Sequence, residues 1–346
     1  MSVVQKIKHI AVIRLSAMGD VALVVPVLKS LVAQYPELKI TMVSRPLFEP
    51  LFADVPNVTF FPVDTKGAHK GFFGLVRLFK QLRHTDALAD LHQVLRSKIV
   101  RGLFSLSGKK VASVDKLRAD KKALTRAENK IFKQLPHITQ NYARVFESLG
   151  LSVDVNPSQG ISSRLEMQAD FLFAKLTPWI GVAPFAAHPS KVYPKDLMQN
   201  VLDSLEGQGH IFLLGGKSEI PQLEEFAQGR AGITIVPGKL SFKQELVLIS
   251  NLDVMLAMDS GNAHLAAIYG VPTVTLWGAT HPYAGFAPFN QPESNMLTSN
   301  REQYPLLPTS VYGNKDVPGY EDAMRTIDPE TVAQRVKENL AVRTRS

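Results

Sequence analysis

The 346-residue chain contains no cysteine. That excludes disulfides, thiolate metal sites and a cysteine nucleophile, and it fits a reducing compartment, so a cytoplasmic protein is expected. Apolar runs are short. None reaches the roughly 18 residues that a membrane span needs, and residues 21–27 are interrupted by Pro26. Lys6 and Lys8 lead directly into a strand-like run, without the order of regions that marks a signal peptide. The dinucleotide fingerprint GxGxxG and the phosphate loop GxxxxGK[ST] are both missing, which argues against a nicotinamide oxidoreductase and an NTPase. There is no Asp-x-Asp and no His/Asp cluster with metal spacing, so neither a metal nor another cofactor is expected. No aromatic platform is interleaved with the basic residues, and nucleic acid is not an expected partner.

What is present is a soluble globular composition, 45% hydrophobic and 20% charged, with length enough for two domains. The net charge of +8 is uneven. Residues 1–160 carry 24 Lys and Arg against 12 Asp and Glu, a balance of +12, while residues 161–346 carry 15 against 19, a balance of −4. The asymmetry points to an anionic partner for the first half.

Short apolar runs at 10–15, 40–44, 58–62, 87–91 and 110–113 read as buried strands, with helical spacing at 21–33, 72–82 and 94–106. The pattern lapses around 152–164 and then restarts. Strands are expected at 179–184, 210–214, 233–236, 254–258 and 273–276, and helices at 197–205, 221–228, 242–250 and 263–269. Residues 284–320, rich in Pro, Asn and Gly, are expected to be irregular, and 329–342 form a closing helix placed to pack back on the first domain. This alternation predicts an α/β protein of two Rossmann-like domains, 1–160 and 161–346, facing across a cleft with ligands at the strand ends.

Four strand-to-helix turns hold the polar groups. In Leu15-Ser-Ala-Met-Gly-Asp20, Asp20 is either a helix cap or a carboxylate able to act as general base. In His188-Pro-Ser-Lys191-Val-Tyr-Pro194, Lys191 is either a solvated lysine or a point charge for phosphate. Leu214-Gly-Gly-Lys-Ser-Glu219 offers close backbone approach and, in Glu219, an acceptor for a ribose diol or a plain turn residue. In Asp259-Ser-Gly-Asn-Ala-His264, Ser260, Gly261 and the following N–H groups can cradle phosphate oxygens, with His264 one turn further on. Capping by Asp259 or Ser260 and simple packing of His264 are the plainer readings of the same residues.

Together these turns resemble the ADP-heptose:lipopolysaccharide heptosyltransferase family, glycosyltransferases of the GT-B fold. The resemblance runs through Ile13-Arg-Leu-Ser-Ala-Met-Gly-Asp20, Asp90-Leu-His-Gln-Val-Leu-Arg-Ser97, Lys191-Val-Tyr-Pro194, Gly215-Gly-Lys-Ser-Glu219 and Asp259-Ser-Gly-Asn-Ala-His-Leu-Ala-Ala267. It implies an inverting transfer of heptose from ADP-heptose to a Kdo-bearing lipid A acceptor, with Asp20 as general base. It assigns Lys191, Glu219, Asp259, Ser260, Gly261 and His264 to the nucleotide-sugar donor. The anionic glycolipid acceptor falls to the first half, with Arg96 and the basic segment 109–133, including Arg118, Lys121 and Lys122, as contacts. Peripheral contact with the inner face of the inner membrane follows. The chain departs from the family at Ala186 and Ala187, where threonines are usual, and at Asn262 and Ala263. A same-fold transferase for another nucleotide sugar and a non-catalytic sugar-nucleotide or glycan binder are the alternatives.

Overall fold

The computed structural model describes residues 7–167 and 177–343. Lys6, read above with Lys8, lies outside them. The chain divides into two compact units, residues 1–116 with 138–162, and residues 117–137 with 163–346.

The first unit is built on five parallel strands: β1 (His9–Ile13), β2 (Lys39–Ser44), β3 (Val58–Pro62), β4 (Ala87–Asp90) and β5 (Lys110–Ser113), in the order β3-β2-β1-β4-β5. Helices α1 (Met18–Ala22), α2 (Val24–Gln34), α3 (Gly71–Leu82) and α4 (Leu95–Leu106) follow strands or lie between them. The helix expected over 21–33 is thus two, broken at Leu23, and the first begins before Asp20. Ile10, Ala11, Val12 and the inner face of α2 are shut away from water, each large aliphatic side chain contributing about 1.5–3 kcal/mol by its burial. Phe79 of α3 meets Phe104 of α4 edge to face at 5.3 Å, fixing these two helices side by side.

The second unit opens with α5 (Arg118–Thr125). The chain then returns to the first unit through α6 (Ile138–Glu147) and α7 (Pro157–Gly160) before entering the second sheet. That sheet consists of β6 (Trp179–Ala183), β7 (His210–Leu213), β8 (Ile233–Ile235), β9 (Val254–Met258), β10 (Thr273–Trp277) and β11 (Met296–Thr298). It too is parallel, ordered β11-β10-β9-β6-β7-β8, with α8 (Lys195–Leu205), α9 (Ile220–Ala227), α10 (Phe242–Asn251), α11 (Gly261–Ile268) and α12 (Pro329–Arg343). Counted within their own unit, both sheets run 3-2-1-4-5, and the second adds strand 6, the doubly wound order. β11 lies in the stretch expected to be irregular. The closing helix α12 packs on α8, β9 and β10 of its own unit, with Val332, Ala333 and Val336 in that core.

A further correction concerns the basic segment. Residues 117–137 were assigned to the first half but cluster with the second unit. Phe132 lies against Arg301, whose guanidinium carbon is 3.3 Å from the ring centroid, and stacks on Tyr283 at 4.9 Å. Lys130 donates to the carbonyls of Leu124 and Pro308 at 2.8 Å, and the Leu135 N–H to Tyr283 at 2.9 Å. Moving this segment redistributes the charge: the first unit holds 18 basic and 10 acidic residues, and the second holds 21 of each. The whole excess of +8 therefore belongs to the first unit. No helix among the described residues is long and apolar enough to cross a membrane.

Candidate functional site

In a doubly wound sheet the crevice for ligands opens at the carboxyl ends of the two strands where the order reverses. In the second unit these are β6 and β9. The loop after β6 carries Lys191, and Asp259 directly follows β9. Their side chains meet: Lys191 Nζ lies 2.9 Å from Asp259 Oδ2, with both side chains largely buried. The Thr280 hydroxyl donates to the same carboxylate oxygen at 2.8 Å. Lys191 is therefore not a solvated loop lysine.

Its position is set by a third loop. The Ser190 hydroxyl donates to the Gly313 carbonyl at 2.6 Å, and the Ala279 N–H to the Ser190 carbonyl at 3.0 Å. Gly313 has φ +80, and a Cβ there would lie 2.4 Å from Lys191 Cδ. Only glycine combines that backbone with that approach. Gly313→Ala is expected to cost about 1–3 kcal/mol through strain at this left-handed position and to push the lysine aside. Thermal unfolding and donor titration of that variant would both show the loss, and wild-type values in both would refute this role.

Ser260 is the N-cap position of α11, yet its hydroxyl caps nothing. It is buried without a partner among the described residues. Beyond it the first N–H groups of the helix have no intrahelical acceptors, so Ser260, Gly261 and their neighbours offer donors to an anion beside the Lys191 ammonium. His264 is buried within α11. Glu219 behaves differently: its carboxylate accepts the Gly216 N–H of its own turn at 2.6 Å, closing the loop after β7. The plainer turn role is thus met in the structure, and a ribose would have to compete with that bond.

The first unit shows the same logic at β1 and β4. Asp20 is not the N-cap residue, which is Ala17, but it caps α1 from the third helical position, where its carboxylate accepts the Ala17 N–H at 3.2 Å. It also pairs with Arg14 Nη2 at 2.5 Å. Arg14 Nη1 in turn donates to the Leu91 carbonyl at 2.7 Å, tying α1 to the end of β4. The fully buried Asp90 accepts the N–H groups of His92 and Gln93 at 3.0 and 2.7 Å, and Gln93 takes a left-handed φ of 51°. This turn carries His92 to Ser16, 3.5 Å away. Burial, then the charges of Arg14 and Lys116, lowers His92 to about 4, with Asp20 opposing the shift.

Arg14 and His92 stand inside the motifs 13–20 and 90–97 but are not conspicuous there as single residues. A basic residue at a buried strand end needs a carboxylate, and that was the available signal for Arg14. The four acceptor candidates are divided between the two units. Arg96 is exposed on the first turn of α4 in the first unit, while Arg118, Lys121 and Lys122 lie on α5 in the second. Of these, Lys121 is buried, its ammonium 4.3 Å from the Phe286 ring centroid.

His281 is also lowered to about 4, by burial and then by Arg301. Both imidazoles stay neutral in the fold while the unfolded chain takes up protons below about pH 6.5. Stability is therefore expected to fall as pH drops from about 6.5 towards 4, by about 1 kcal/mol for each ring once solvent screening is allowed for. Urea denaturation at pH 7 and pH 4.5 measures this, and His92→Gln should flatten the profile. A profile already flat in the wild type would contradict it.

The sequence profile of glycosyltransferase family 9 (heptosyltransferase) matches residues 75–313. The chain belongs to this family. It is a glycosyltransferase, and the match takes in β4, Lys191, Glu219, Asp259 and Gly313. The chain is 24% identical to the lipopolysaccharide core heptosyltransferase OpsX of Haemophilus influenzae, over 82% of each chain. Among solved structures it resembles the glycosyl transferase family 9 protein of Veillonella parvula, with TM-score 0.73, 20% identity, and 97% and 98% of the two chains covered. It also resembles the Escherichia coli ADP-heptose lps heptosyltransferase II, with TM-score 0.66, 18% identity, and 97% and 99% covered. The two parallel α/β sheets are thus those of GT-B heptosyltransferases.

Proposed function

We propose that this family 9 enzyme transfers heptose from ADP-heptose to the inner core of lipopolysaccharide, a Kdo-bearing lipid A, at the cytoplasmic face of the inner membrane. The observation that carries the reading is the pairing of Lys191 with Asp259 across the β6/β9 switch point, beside the partnerless Ser260 hydroxyl. A donor diphosphate would draw on the Lys191 ammonium, Ser260 and the α11 N–H groups. Asp259, held by Thr280, would then be free to accept from sugar hydroxyls, with His264 completing the seat. Glu219 is assigned to the ribose, which would replace the Gly216 N–H as its partner.

In the transfer itself, an acceptor hydroxyl attacks the anomeric carbon while its proton passes to the Asp20 carboxylate. The bond from that carbon to the diphosphate oxygen breaks, and ADP leaves with the electron pair, inverting the centre. The ion pair with Arg14 would hold the Asp20 carboxylate in place for this step. The diphosphate charge is met here by Lys191 and the helix start. With no Asp-x-Asp in the chain, EDTA is expected to leave the rate unchanged. The excess of +8 on the first unit suits a polyanionic glycolipid, with Arg96 the acceptor contact on that unit. Arg118 and Lys122 of α5 are the acceptor contacts assigned on the second unit, while the buried Lys121 would act by holding α5.

Incubation with ADP-heptose and Kdo₂-lipid A tests the proposal. ADP release together with an acceptor heavier by one heptose is expected. Transfer from a different nucleotide sugar only, or binding without turnover, would replace it.

A further inference from the structure

The first unit exposes an apolar surface that its core does not explain. Phe72 and Phe73 at the start of α3 are 59% and 86% exposed, and Leu95 at the start of α4 is 75% exposed. The two rings meet edge to face at 6.0 Å, pointing outward as a pair. Both helices follow strands of one parallel sheet, so both begin at its carboxyl edge. Their starts flank a single small cavity lined by Thr65 and His69 on one side and Arg96 and Ser97 on the other. The same cavity is walled by Ile13 and Leu15 at the end of β1, so the apolar surface shares its edge with Asp20.

Charge around the surface is mainly positive. Lys66, Lys70, Arg77 and Lys98 are exposed beside the phenylalanines and Leu95. Asp64 is exposed in the same stretch, its carboxylate accepting the N–H groups of Lys66, Gly67 and Ala68, which lower its pKa, so the four named cations outnumber it. Aromatic rings flanked by lysines match the boundary of an anionic bilayer, where rings enter the headgroup layer and ammonium groups meet lipid phosphates.

We propose that Phe72, Phe73 and Leu95, ringed by these basic residues, dock the first unit onto an anionic phospholipid surface. This rests on the proposed lipid-borne acceptor only for its purpose: it would present the β1/β4 strand ends to sugars rising from the membrane. The docking itself stands on the patch.

The test is sedimentation of the full chain with phosphatidylglycerol-containing vesicles and with phosphatidylcholine vesicles. Binding to the anionic vesicles alone, weakened by salt, is expected. Phe72→Ser with Phe73→Ser should lower the partition coefficient at least about tenfold, as expected for removing two rings from the interface. Lys66→Ser with Lys70→Ser, which leaves the rings in place, should lower it in low salt and not in high salt. Activity on a deacylated, water-soluble acceptor should be unchanged in the phenylalanine variant, and activity on vesicle-borne acceptor should fall. Vesicle binding that depends on the rings in a protein that transfers nothing would support the docking and remove the proposed function. Equal binding by wild type and the phenylalanine variant overturns the proposal. So does a ring-dependent dimer in sedimentation velocity that ignores vesicles.

Discussion

Asp20→Asn is expected to reduce kcat by about 10²–10⁴-fold, the usual contribution of a positioned general base, while donor affinity stays at the wild-type value. The geometry separates these effects. Asp20 lies in the first unit, paired with Arg14 and the Ala17 N–H, whereas the charges assigned to the donor lie around Lys191 in the second. The asparagine oxygen can still accept the Ala17 N–H, so the first turn of α1 keeps its shape. Arg14 loses its ion pair but keeps the Leu91 carbonyl. A stability loss of about 1–2 kcal/mol is expected for this part-exposed pair, and the variant should remain folded. Steady-state kinetics with a donor titration measures both quantities. An Asp20→Asn enzyme with wild-type kcat would remove Asp20 from the chemistry. His92, which lies at the same strand ends, would then be the next to test.

Lys191→Met should give the opposite division. Losing a charged hydrogen bond to the diphosphate, worth about 1.5–3 kcal/mol, weakens donor binding by one to two orders of magnitude. The same change leaves Asp259 buried with only Thr280 as partner, and breaking a buried pair on one side costs about 3–5 kcal/mol. The double variant Lys191→Met/Asp259→Asn removes the stranded charge. It should regain most of the lost stability and none of the donor affinity. Chemical denaturation and calorimetric titration with ADP separate the two. Full recovery of ADP binding in the double variant would show that Lys191 serves only the fold.

The sequence made both sheets legible because buried parallel strands are short apolar runs, and 58–62, 110–113 and 254–258 match their strands residue for residue. The turns at the strand ends were legible for a related reason. Polar residues between a buried strand and a helix are conspicuous, and Lys191 and Asp259 proved to be in contact. Pairing was not legible. Nothing local in the sequence says that Arg14 reaches Asp20, or that Glu219 folds back on Gly216, since such bonds depend on backbone geometry in three dimensions. The basic segment misled for the same reason. Its position before the linker placed 117–137 with the first half, but its docking rests on contacts of Phe132 with Tyr283 and Arg301, far later in the chain. Asp20 looked like the N-cap because α1 was expected to begin after it, and helix starts are among the least certain features of a sequence.

The most direct measurement is a crystal structure of the enzyme with a non-transferable ADP-heptose analogue. Diphosphate oxygens are expected within hydrogen-bonding distance of Lys191 Nζ and the Ser260 hydroxyl, with the sugar against Asp259. A donor bound with its diphosphate away from the β6/β9 strand ends, leaving the Lys191–Asp259 pair untouched, would contradict it.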